Sequence, residues 1–298
     1  MNGTGDGRGG ARPATGRRPR DDEALLPLIA GRSVVRRYRS ASNTVLVVDG
    51  GPTRRSVLKV YPDHRRFANE TAALGVLAEA GMRAPQVLAA APAVSGGRAV
   101  WTAELSFVPG EPMTSGRGLT GLLHQLRAFG TVTGPGAGTV AEAERGAGWT
   151  DWLAARLDAY EAVLGPLDAP RVVDALERTR RSLPSLDVGE PSLLHADLSR
   201  PNILVGRDGA ATLIDWELGR WGDPLFDVAL ACYRGLFRRF PLAVDFAREL
   251  RGPRRDCARV LRAYLRFLHL RELALVEQVG HASLRAVRRR LRRHFGLP

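Results

Sequence analysis

The stretch that decides the fold runs from residue 193 to residue 229 and reads LLHADLSRPNILVGRDGAATLIDWELGRWGDPLFDVA. Two short apolar runs flank the polar turn Asp-Gly-Ala-Ala, a pattern that predicts a β-hairpin. His195 and Asp197 precede the hairpin, Asn202 opens it, and Asp215 ends it thirteen residues after Asn202. Because the second strand folds back antiparallel on the first, we expect Asp215 to lie beside Asn202.

These side chains are the groups that phosphoryl transfer from ATP requires. A carboxylate must hold the acceptor hydroxyl in line with the transferred phosphate, and oxygen ligands must hold Mg²⁺ against the phosphates. Asp197 could supply the carboxylate, and Asn202 and Asp215 the oxygen ligands. If His195 and Asp197 merely formed a surface turn and Asp215 capped a strand, the full H-x-D-L-x-x-x-N spacing would have no explanation.

The same stretch resembles the signature of the aminoglycoside phosphotransferase and choline kinase group, whose members are distant relatives of protein kinases. Its elements Ile-Asp-Trp-Glu and Gly-Asp-Pro-Leu-Phe-Asp are especially characteristic, and the resemblance extends more loosely over residues 33 to about 270. It implies an α+β, protein-kinase-like fold of two lobes, with a small antiparallel β lobe that carries one helix and a larger, mainly helical lobe. It also implies the cofactors ATP and Mg²⁺, with Asp197 as catalytic base and Asn202 and Asp215 as metal ligands.

Four further residues of the stretch are expected to have supporting roles. By the resemblance, His195 would orient the catalytic loop, and Asp223 and Asp227 would support that loop from behind. A Gly-Asp-Pro turn with a second Asp four residues later also suits helix capping and hydrogen bonding to loop amides. Glu217 has two interpretations, since it could reach a metal-bound water or merely lie at the end of the strand.

Upstream of this stretch, residues 33–60 have the pattern of an antiparallel meander, and residues 63–82 have that of a helix bounded by a capping Asp and a Gly. Lys59 lies in the last strand, and Glu70 lies on or beside the buried face of the helix. A lone Lys in an apolar strand more often faces solvent. A strand Lys paired with a helix Glu, however, is how protein-kinase-like folds hold the ammonium against the α- and β-phosphates. We therefore expect Lys59 and Glu70 to bind the nucleotide as a pair.

The Gly-rich loop that protein kinases place between their first strands is missing. Residues 38–43, Tyr-Arg-Ser-Ala-Ser-Asn, occupy its place. Within them, Ser42 and Asn43 could contact phosphate through hydroxyl and amide groups. The adenine would lie against the segment between the lobes, where Ser106 and Val108 offer backbone groups for hydrogen bonds.

Changes in composition and periodicity along the chain predict three parts. Residues 1–20 are expected to form a disordered basic leader, residues 21–109 a nucleotide-binding lobe, and residues 110–298 a lobe for catalysis and acceptor binding. In the third part, helical periodicity covers residues 119–134, 149–165 and 171–183 and resumes from Leu225 onward. The stretch from residue 134 to residue 148, rich in Gly, Ala and Glu, predicts a flexible connection between two of these helices.

The composition narrows the class of protein. At 298 residues and 44% hydrophobic content the chain is expected to be globular. No apolar run approaches the roughly 20 residues that a membrane helix needs, so we expect no transmembrane segment. Cys232 and Cys257 have no metal-ligand spacing, which favours a reducing, cytoplasmic location. The net charge of +13 could indicate a nucleic-acid partner. The excess positive charge, however, lies largely in the N-terminal and C-terminal segments, where no aromatic stacking residues separate the arginines, and this argues against a nucleic-acid groove.

Three functions remain open at this point. The first is an enzyme that phosphorylates a hydroxyl of a metabolite or an antibiotic. The others are a catalytically weak, kinase-like binding protein and, because of the His-Ala-Asp-Leu-Ser motif, a RIO-like atypical protein kinase. The complete set of chemical groups favours the enzyme. Only residues 216–226 separate Asp215 from Asp227, too few for the activation segment on which protein kinases bind a peptide, so the acceptor is expected to be a small molecule.

The helices between residues 119 and 183 and the C-terminal helices would form the acceptor pocket. Acidic side chains there would suit a cationic antibiotic. The candidates are Glu142, Glu144, Asp151, Asp158 and Glu161.

Overall fold

The computed structural model describes residues 29, 32–39, 43–50, 55–95, 97–114, 117–251, 256–279 and 285–297. The predicted leader over residues 1–20 and the loop residue Ser42 lie outside these ranges. In the described ranges an antiparallel sheet with one helix precedes a mainly helical part, as the sequence predicts.

The first part of the chain forms a five-stranded antiparallel sheet in the order β1-β2-β3-β5-β4. Leu46, Val48, Leu58 and Val60 are buried in one apolar cluster, because alternate residues of a strand share a face. The strands are β1 (Ser33–Arg39), β2 (Thr44–Asp49), β3 (Arg55–Tyr61), β4 (Val87–Ser95) and β5 (Arg98–Ser106). The predicted meander of the first three strands is confirmed.

Helix α1 (His64–Glu79) packs against this sheet and carries Glu70 on its buried side. It begins at Asp63, whose carboxylate accepts a hydrogen bond of 2.9 Å from the N–H of Arg65, as N-cap residues do. It ends before Gly81, whose φ of +65° is the left-handed conformation that glycine adopts most easily. The predicted helix is therefore confirmed in type and at both ends.

The rest of the chain is mainly helical and surrounds one large apolar core. Large aromatic side chains, among them Trp149, Trp216, Phe226 and Phe267, are fully buried in it. The helices are α2 (Leu119–Phe129), α3 (Trp149–Leu164), α4 (Pro170–Ser182), α5 (Pro224–Tyr233), α6 (Phe240–Arg251), α7 (Cys257–Val279) and α8 (Arg285–His294). None of the helices within the described ranges combines the length and the apolarity that crossing a membrane requires.

Two three-stranded antiparallel sheets, ordered β10-β9-β6 and β7-β11-β8, lie among these helices. The strands are β6 (Glu111–Pro112), β7 (Gly138–Thr139), β8 (Ser192–Leu194), β9 (Ile203–Val205), β10 (Ala211–Leu213) and β11 (Arg220–Gly222). Strands β9 and β10 form the predicted hairpin. Strand β8 pairs with β11, and His195 follows β8 directly. Asp215 comes two residues after the end of β10, which belongs to the other small sheet.

The segment from residue 134 to residue 148 is not the flexible connection that its composition suggests. Helix α2 ends at Phe129, and the segment that follows pairs with β11 through β7. A Cβ atom at Gly134 would lie 2.2 Å from the ring of Trp221, and one at Gly136 would lie 2.0 Å from the carbonyl oxygen of Glu144. The glycines thus permit close packing, which a composition-based prediction of flexibility overlooks.

Candidate active site

The hairpin brings together the three residues predicted to carry the chemistry. Asn202 closes a short 3₁₀ turn before β9, and the N–H of Ile214 donates a hydrogen bond of 2.9 Å to its carbonyl oxygen, so Asp215 follows directly. The side-chain amide of Asn202 donates to the carbonyl oxygen of Asp197 at 3.0 Å and to its carboxylate Oδ2 at 3.1 Å. One side chain therefore fixes the orientation of the Asp197 carboxylate.

His195 ties the loop of Asp197 to the strand that leads to Asp215. Its Nδ1 accepts from the N–H of Asp197 at 3.3 Å, and its Nε2 lies 2.9 Å from the carbonyl oxygen of Ile214. Because Nδ1 is an acceptor, the ring hydrogen must be on Nε2, which donates to Ile214. The imidazole is fully buried, with its ring centre 4.6 Å from that of Trp216.

The loop contains a backbone conformation that needs support. Ala196 has a φ of +59°, in the left-handed region that residues other than glycine rarely adopt. The buried carboxylate of Asp227 accepts from the N–H of His195 at 2.7 Å and from that of Ala196 at 2.9 Å. Burial raises the pKa of Asp227, while its hydrogen bonds from these two amides oppose the rise. Both oxygens of one carboxylate thus hold the loop in its bent form.

We expect Asp227→Asn to lower the free energy of unfolding by about 2 to 4 kcal/mol, because an amide NH₂ group would face one of the two N–H donors in a buried site. Urea denaturation measures the change. Asp245→Asn is the matched control, since Asp245 is exposed on α6 and pairs only with Arg248 in the described residues. A loss no larger than that of the control would contradict this role for Asp227.

Asp223 was expected to support the catalytic loop, but its carboxylate accepts hydrogen bonds from helix residues instead. It caps α5 by accepting from the N–H of Leu225 at 3.0 Å. Its carboxylate also accepts from the hydroxyl of Tyr264 at 2.8 Å and from Arg251 at 3.2 Å. These hydrogen bonds join α5, α6 and α7, whereas those to the loop amides come from Asp227.

Lys59 connects the five-stranded sheet to the hairpin. Its Nζ lies 2.5 Å from Oε2 of Glu70 and 2.6 Å from Oδ1 of Asp215. Burial by itself would lower the pKa of Lys59, but the carboxylates of Glu70 and Asp215 outweigh it and raise the pKa, so the ammonium is charged. Lys59 is also the only lysine of the sequence.

Glu70 has further partners that hold it in place. The hydroxyl of Tyr61 donates to its Oε2 at 2.8 Å, and the N–H of Trp216 donates to its Oε1 at 3.2 Å. Burial, together with the Glu70 carboxylate, raises the pKa of Tyr61, so its hydroxyl keeps its proton. Both oxygens of Glu70 are therefore occupied by donors from the sheet and from the segment after the hairpin.

Glu217 and Asn43 contact each other, which the sequence interpretation did not include. The side-chain amide of Asn43 donates to Oε2 of Glu217 at 2.6 Å, and Arg66 donates to Oε1 at 2.5 Å. In this arrangement the Asn43 amide is directed at a carboxylate rather than toward a phosphate. Burial and the charge of Asp215 raise the pKa of Glu217, and the charges of Lys59 and Arg66 oppose them.

The carboxylates here suit a hard divalent cation. Oxygens of Glu70, Asp215 and Glu217 lie within 4.8 Å of one another. Those of Glu70 and Glu217 already accept hydrogen bonds, whereas Oδ2 of the partly exposed Asp215 has no donor among the described residues. The amide of Asn202 donates toward Asp197, which leaves its Oδ1 as a possible ligand. Mg²⁺ prefers such oxygen ligands, so the residues fit the metal.

The predicted adenine-binding segment follows β5. The N–H of Ser106 donates to the carbonyl oxygen of Gln86 at 2.8 Å, and its hydroxyl accepts from the N–H of Gln86 at 2.9 Å. The backbone N–H of Ser106 is therefore occupied, and a base that uses the backbone here would have to bind the carbonyl. The N–H of Val108 has no hydrogen-bond partner in the part of the chain that the structure describes.

The acidic candidates for the acceptor pocket are on the surface. Glu142, Glu144 and Asp151 are exposed. Asp158 and Glu161 on α3 are exposed as well, and both pair with Arg180, at 2.8 Å and 2.6 Å. All five side chains face solvent, so the structure does not support an acidic pocket wall built from them.

Three residues that hold the site together were missed by the sequence interpretation. Tyr61 alternates with Lys59 on β3, which was a usable signal. Arg66 lies one helical turn before Glu70 on α1, a weaker signal. The side-chain amide of Asn69 donates to the carbonyl oxygens of Glu217 and Gly219, at 3.0 Å and 2.9 Å. No local sequence pattern predicts this last contact, because it joins residues about 150 positions apart.

Comparison with known proteins decides the family. The model of the phosphotransferase enzyme family matches residues 34–278. The chain belongs to this family. As a member of the phosphotransferase enzyme family it is a kinase of small molecules with a hydroxyl acceptor, as the sequence resemblance implies. No curated protein matches the sequence significantly.

Solved structures share the fold of this family member. Aminoglycoside phosphotransferase APH(4)-Ia has a TM-score of 0.71 and 18% identity, over 93% of this chain and 97% of that chain. The amicoumacin kinase hAmiN, in complex with AMP-PNP, Ca²⁺ and Ami, has a TM-score of 0.62 and 15% identity, over 93% of each chain. A GDP complex of aminoglycoside 2'-phosphotransferase-IIIa has a TM-score of 0.66 and 15% identity, over 92% and 96%. The predicted protein-kinase-like α+β fold is thereby confirmed.

Proposed function

We propose that this chain transfers the γ-phosphate of ATP, bound with Mg²⁺, to a hydroxyl of a small molecule. The observation that carries the proposal is the position of Lys59. It contacts Glu70 on the helix of the sheet and Asp215 at the end of the hairpin. One ammonium group thus joins the side that would bind nucleotide phosphates to the side that would bind the metal.

Asp197 would act as the catalytic base. The acceptor oxygen attacks the γ-phosphorus, its proton passes to the Asp197 carboxylate, and ADP leaves with the bond to its β-phosphate oxygen broken. The Asn202 amide holds Oδ2 of that carboxylate, and Oδ1 has no donor among the described residues. Oδ1 is therefore the atom that we assign to the acceptor hydroxyl. His195 and Asp227 position the loop without touching the reacting atoms.

Asp215 and Asn202 are the proposed metal ligands. A bound Mg²⁺ would neutralise charge on the β- and γ-phosphates. Asp215 would contribute a carboxylate oxygen beside the Lys59 ammonium, and Asn202 would contribute a neutral amide oxygen. Glu70 would hold Lys59 against the phosphates, and Glu217 would keep the segment after Asp215 in place through Asn43 and Arg66.

The nucleotide would lie between the sheet and the hairpin. We propose a nucleotide-binding lobe over residues 21–109 and a catalytic lobe over residues 110–298. Val108 would donate its N–H to the adenine, and Ser106 would accept through its carbonyl. Ser42 and the backbone around Asn43 are proposed to contact the phosphates. Relatives of this fold were solved with ADP and with AMP-PNP, which supports ATP as the donor.

The acceptor and the location complete the proposal. Structural relatives include an aminoglycoside phosphotransferase solved with ADP and hygromycin B, an amicoumacin kinase and a putative fructosamine-3-kinase. We therefore include antibiotics and hydroxylated metabolites among the acceptors to be tested. Cys232 and Cys257 form no disulfide bond within the described residues. Reduced thiols suit the cytoplasm, which we propose as the location, with no membrane or nucleic-acid partner.

The proposal is tested by transfer from γ-labelled ATP to a panel of aminoglycosides, amicoumacin, nucleosides, choline and sugars. The expected result is acceptor-dependent labelling that requires Mg²⁺ and disappears on chelation. Labelling of a host protein other than the enzyme, with none of the small-molecule fraction, would overturn the choice of a small-molecule acceptor.

Replacing Lys59 by alanine is expected to raise the KM for ATP by at least about tenfold, with the acceptor KM little changed, because the cation facing the phosphates is lost. Glu70→Gln should have a smaller effect in the same direction, since the amide can still accept from Tyr61 or Trp216. Steady-state kinetics at varied ATP and varied acceptor separate the two constants. An increase confined to the acceptor KM would place Lys59 outside the nucleotide site.

Because Lys59 is the single lysine, mass spectrometry can measure how far its side chain is acylated without interference from other lysines. An acyl phosphate of ATP should acylate Lys59 at its Nζ and release ATP, and excess ATP should protect it. Competition between ATP and GTP in this reaction would report the preferred donor. Acylation that ATP does not reduce would contradict nucleotide binding at Lys59.

A further inference from the structure

A cluster of arginines lies beside the proposed catalytic loop and has no part in the roles given so far. Arg220 on β11 is the pairing partner of Leu194, the residue before His195. Its guanidinium lies 4.5 Å from the centre of the Trp152 ring, and that of Arg156 lies 5.3 Å from the same ring. Two guanidinium groups therefore meet on one aromatic side chain next to the loop.

Arg271 on α7 extends this arginine cluster. Helices α3 and α7 pack together, with the rings of Tyr160 and Phe267 5.4 Å apart. Arg271 lies about one turn beyond Phe267, and Tyr160 about one turn beyond Arg156, so both arginines lie on the faces that meet. Burial raises the pKa of Tyr160, and the charges of Arg271, Arg220 and Arg156 oppose the rise, as expected of groups at close range.

No carboxylate neutralises the cluster directly. None of the three arginines forms an ion pair with a residue that the structure describes, and Arg220 donates through Nε only to the carbonyl of Leu218, at 3.2 Å. Burial, followed by the charge of Arg271, lowers the pKa of Arg220 to about 10, so it is still charged at neutral pH. Asp227 is close enough to affect this pKa, but both its oxygens accept from loop amides.

The acidic side chains of α3 do not neutralise this charge, and one of them, Asp151, is exposed and forms no ion pair with a described residue. Asp158 and Glu161 are exposed and pair with Arg180 on α4. A cationic acceptor at this cluster would therefore meet guanidinium groups that have no ion-pair partner among the described residues. That would oppose its binding, since like charges in a partly buried site repel strongly.

We infer that the acceptor carries an anionic group, a carboxylate or a phosphate, next to the hydroxyl that is phosphorylated, and that Arg156, Arg220 and Arg271 bind it. Guanidinium groups bind both anions through paired N–H donors. Nε of Arg220 donates to Leu218, but its Nη groups and the N–H groups of Arg156 have no acceptor among the described residues. This inference rests on the proposed function, because it names the acceptor class of the same site.

The test uses four sugars that share one scaffold and differ in charge: glucose, glucosamine, glucuronate and glucose 6-phosphate. Each is titrated by calorimetry into the full-length protein saturated with Mg²⁺ and AMP-PNP, so that the nucleotide site cannot bind the anion. At least one anionic sugar is expected to bind about tenfold or more tightly than glucose, and glucosamine least tightly. The glucuronate and phosphate arms decide between carboxylate and phosphate recognition.

The double variant Arg156→Ala/Arg271→Ala should lose this preference. Its control is Arg178→Ala/Arg248→Ala, which changes the net charge equally at exposed positions on α4 and α6. Weak or equal binding of the anionic sugars, tightest binding of glucosamine, or a preference that survives in the double variant would overturn the inference. Anion preference without phosphate transfer to any acceptor would count against the proposed function and not against this inference.

Discussion

Replacing Asp215 by alanine is expected to abolish productive binding of Mg²⁺·ATP and to lower kcat/KM by about 10³ or more, because the proposed charged ligand of the metal is lost. Asp215 is the only member of the carboxylate group with an oxygen that accepts no hydrogen bond from the described residues. Lys59 keeps its contact with Glu70, so the fold should survive. The affinity for ATP, titrated with Mg²⁺ and with chelator, measures the effect.

The control for this variant is Asp208→Ala. Asp208 lies in the turn of the same hairpin, is exposed, and pairs with Arg83 at 3.1 Å. Its replacement should leave the magnesium dependence of ATP binding unchanged. Equal magnesium dependence in Asp215→Ala and in wild type would mean that Asp215 does not hold the metal.

Asp197→Asn is expected to lower kcat by about 10² or more while leaving the fold and ATP binding intact, because the amide cannot take the proton of the acceptor hydroxyl. The change is nearly isosteric, and its carbonyl oxygen can still accept from Asn202. Single-turnover transfer from γ-labelled ATP isolates the chemical step, and Asp208→Asn serves as the control. A variant that transfers phosphate at the wild-type rate would remove Asp197 from the role of base.

The part of the site that could be predicted is the part that is local in sequence. Asp197, Asn202 and Asp215 surround one hairpin, and the turn between its strands fixes their proximity. The pair of Lys59 and Glu70 spans eleven residues and one strand-to-helix connection, so periodicity was enough to place it. In both cases the backbone geometry of neighbouring elements decides which side chains meet.

The rest depends on contacts that no local pattern encodes. Asn43 and Glu217 meet across 174 positions, and Arg66 and Glu217 across 151. The glycines of the segment after α2 led to a prediction of flexibility, whereas the close approach of the Trp221 ring accounts for Gly134. The acidic residues of α3 drew attention by charge alone, while the orientation of that helix turns Trp152 and Arg156 toward β11 instead.

The most direct test of the central claim is mass spectrometry of the acceptor after incubation with ATP and Mg²⁺. The wild-type enzyme should convert a small hydroxyl compound to a product heavier by one phosphoryl group, with one ADP released per product formed. Asp197→Asn, folded and still binding ATP, should form this product at about a hundredth of that rate or less. ATP hydrolysis with no phosphorylated small molecule, or product formed equally well by Asp197→Asn, would contradict the claim.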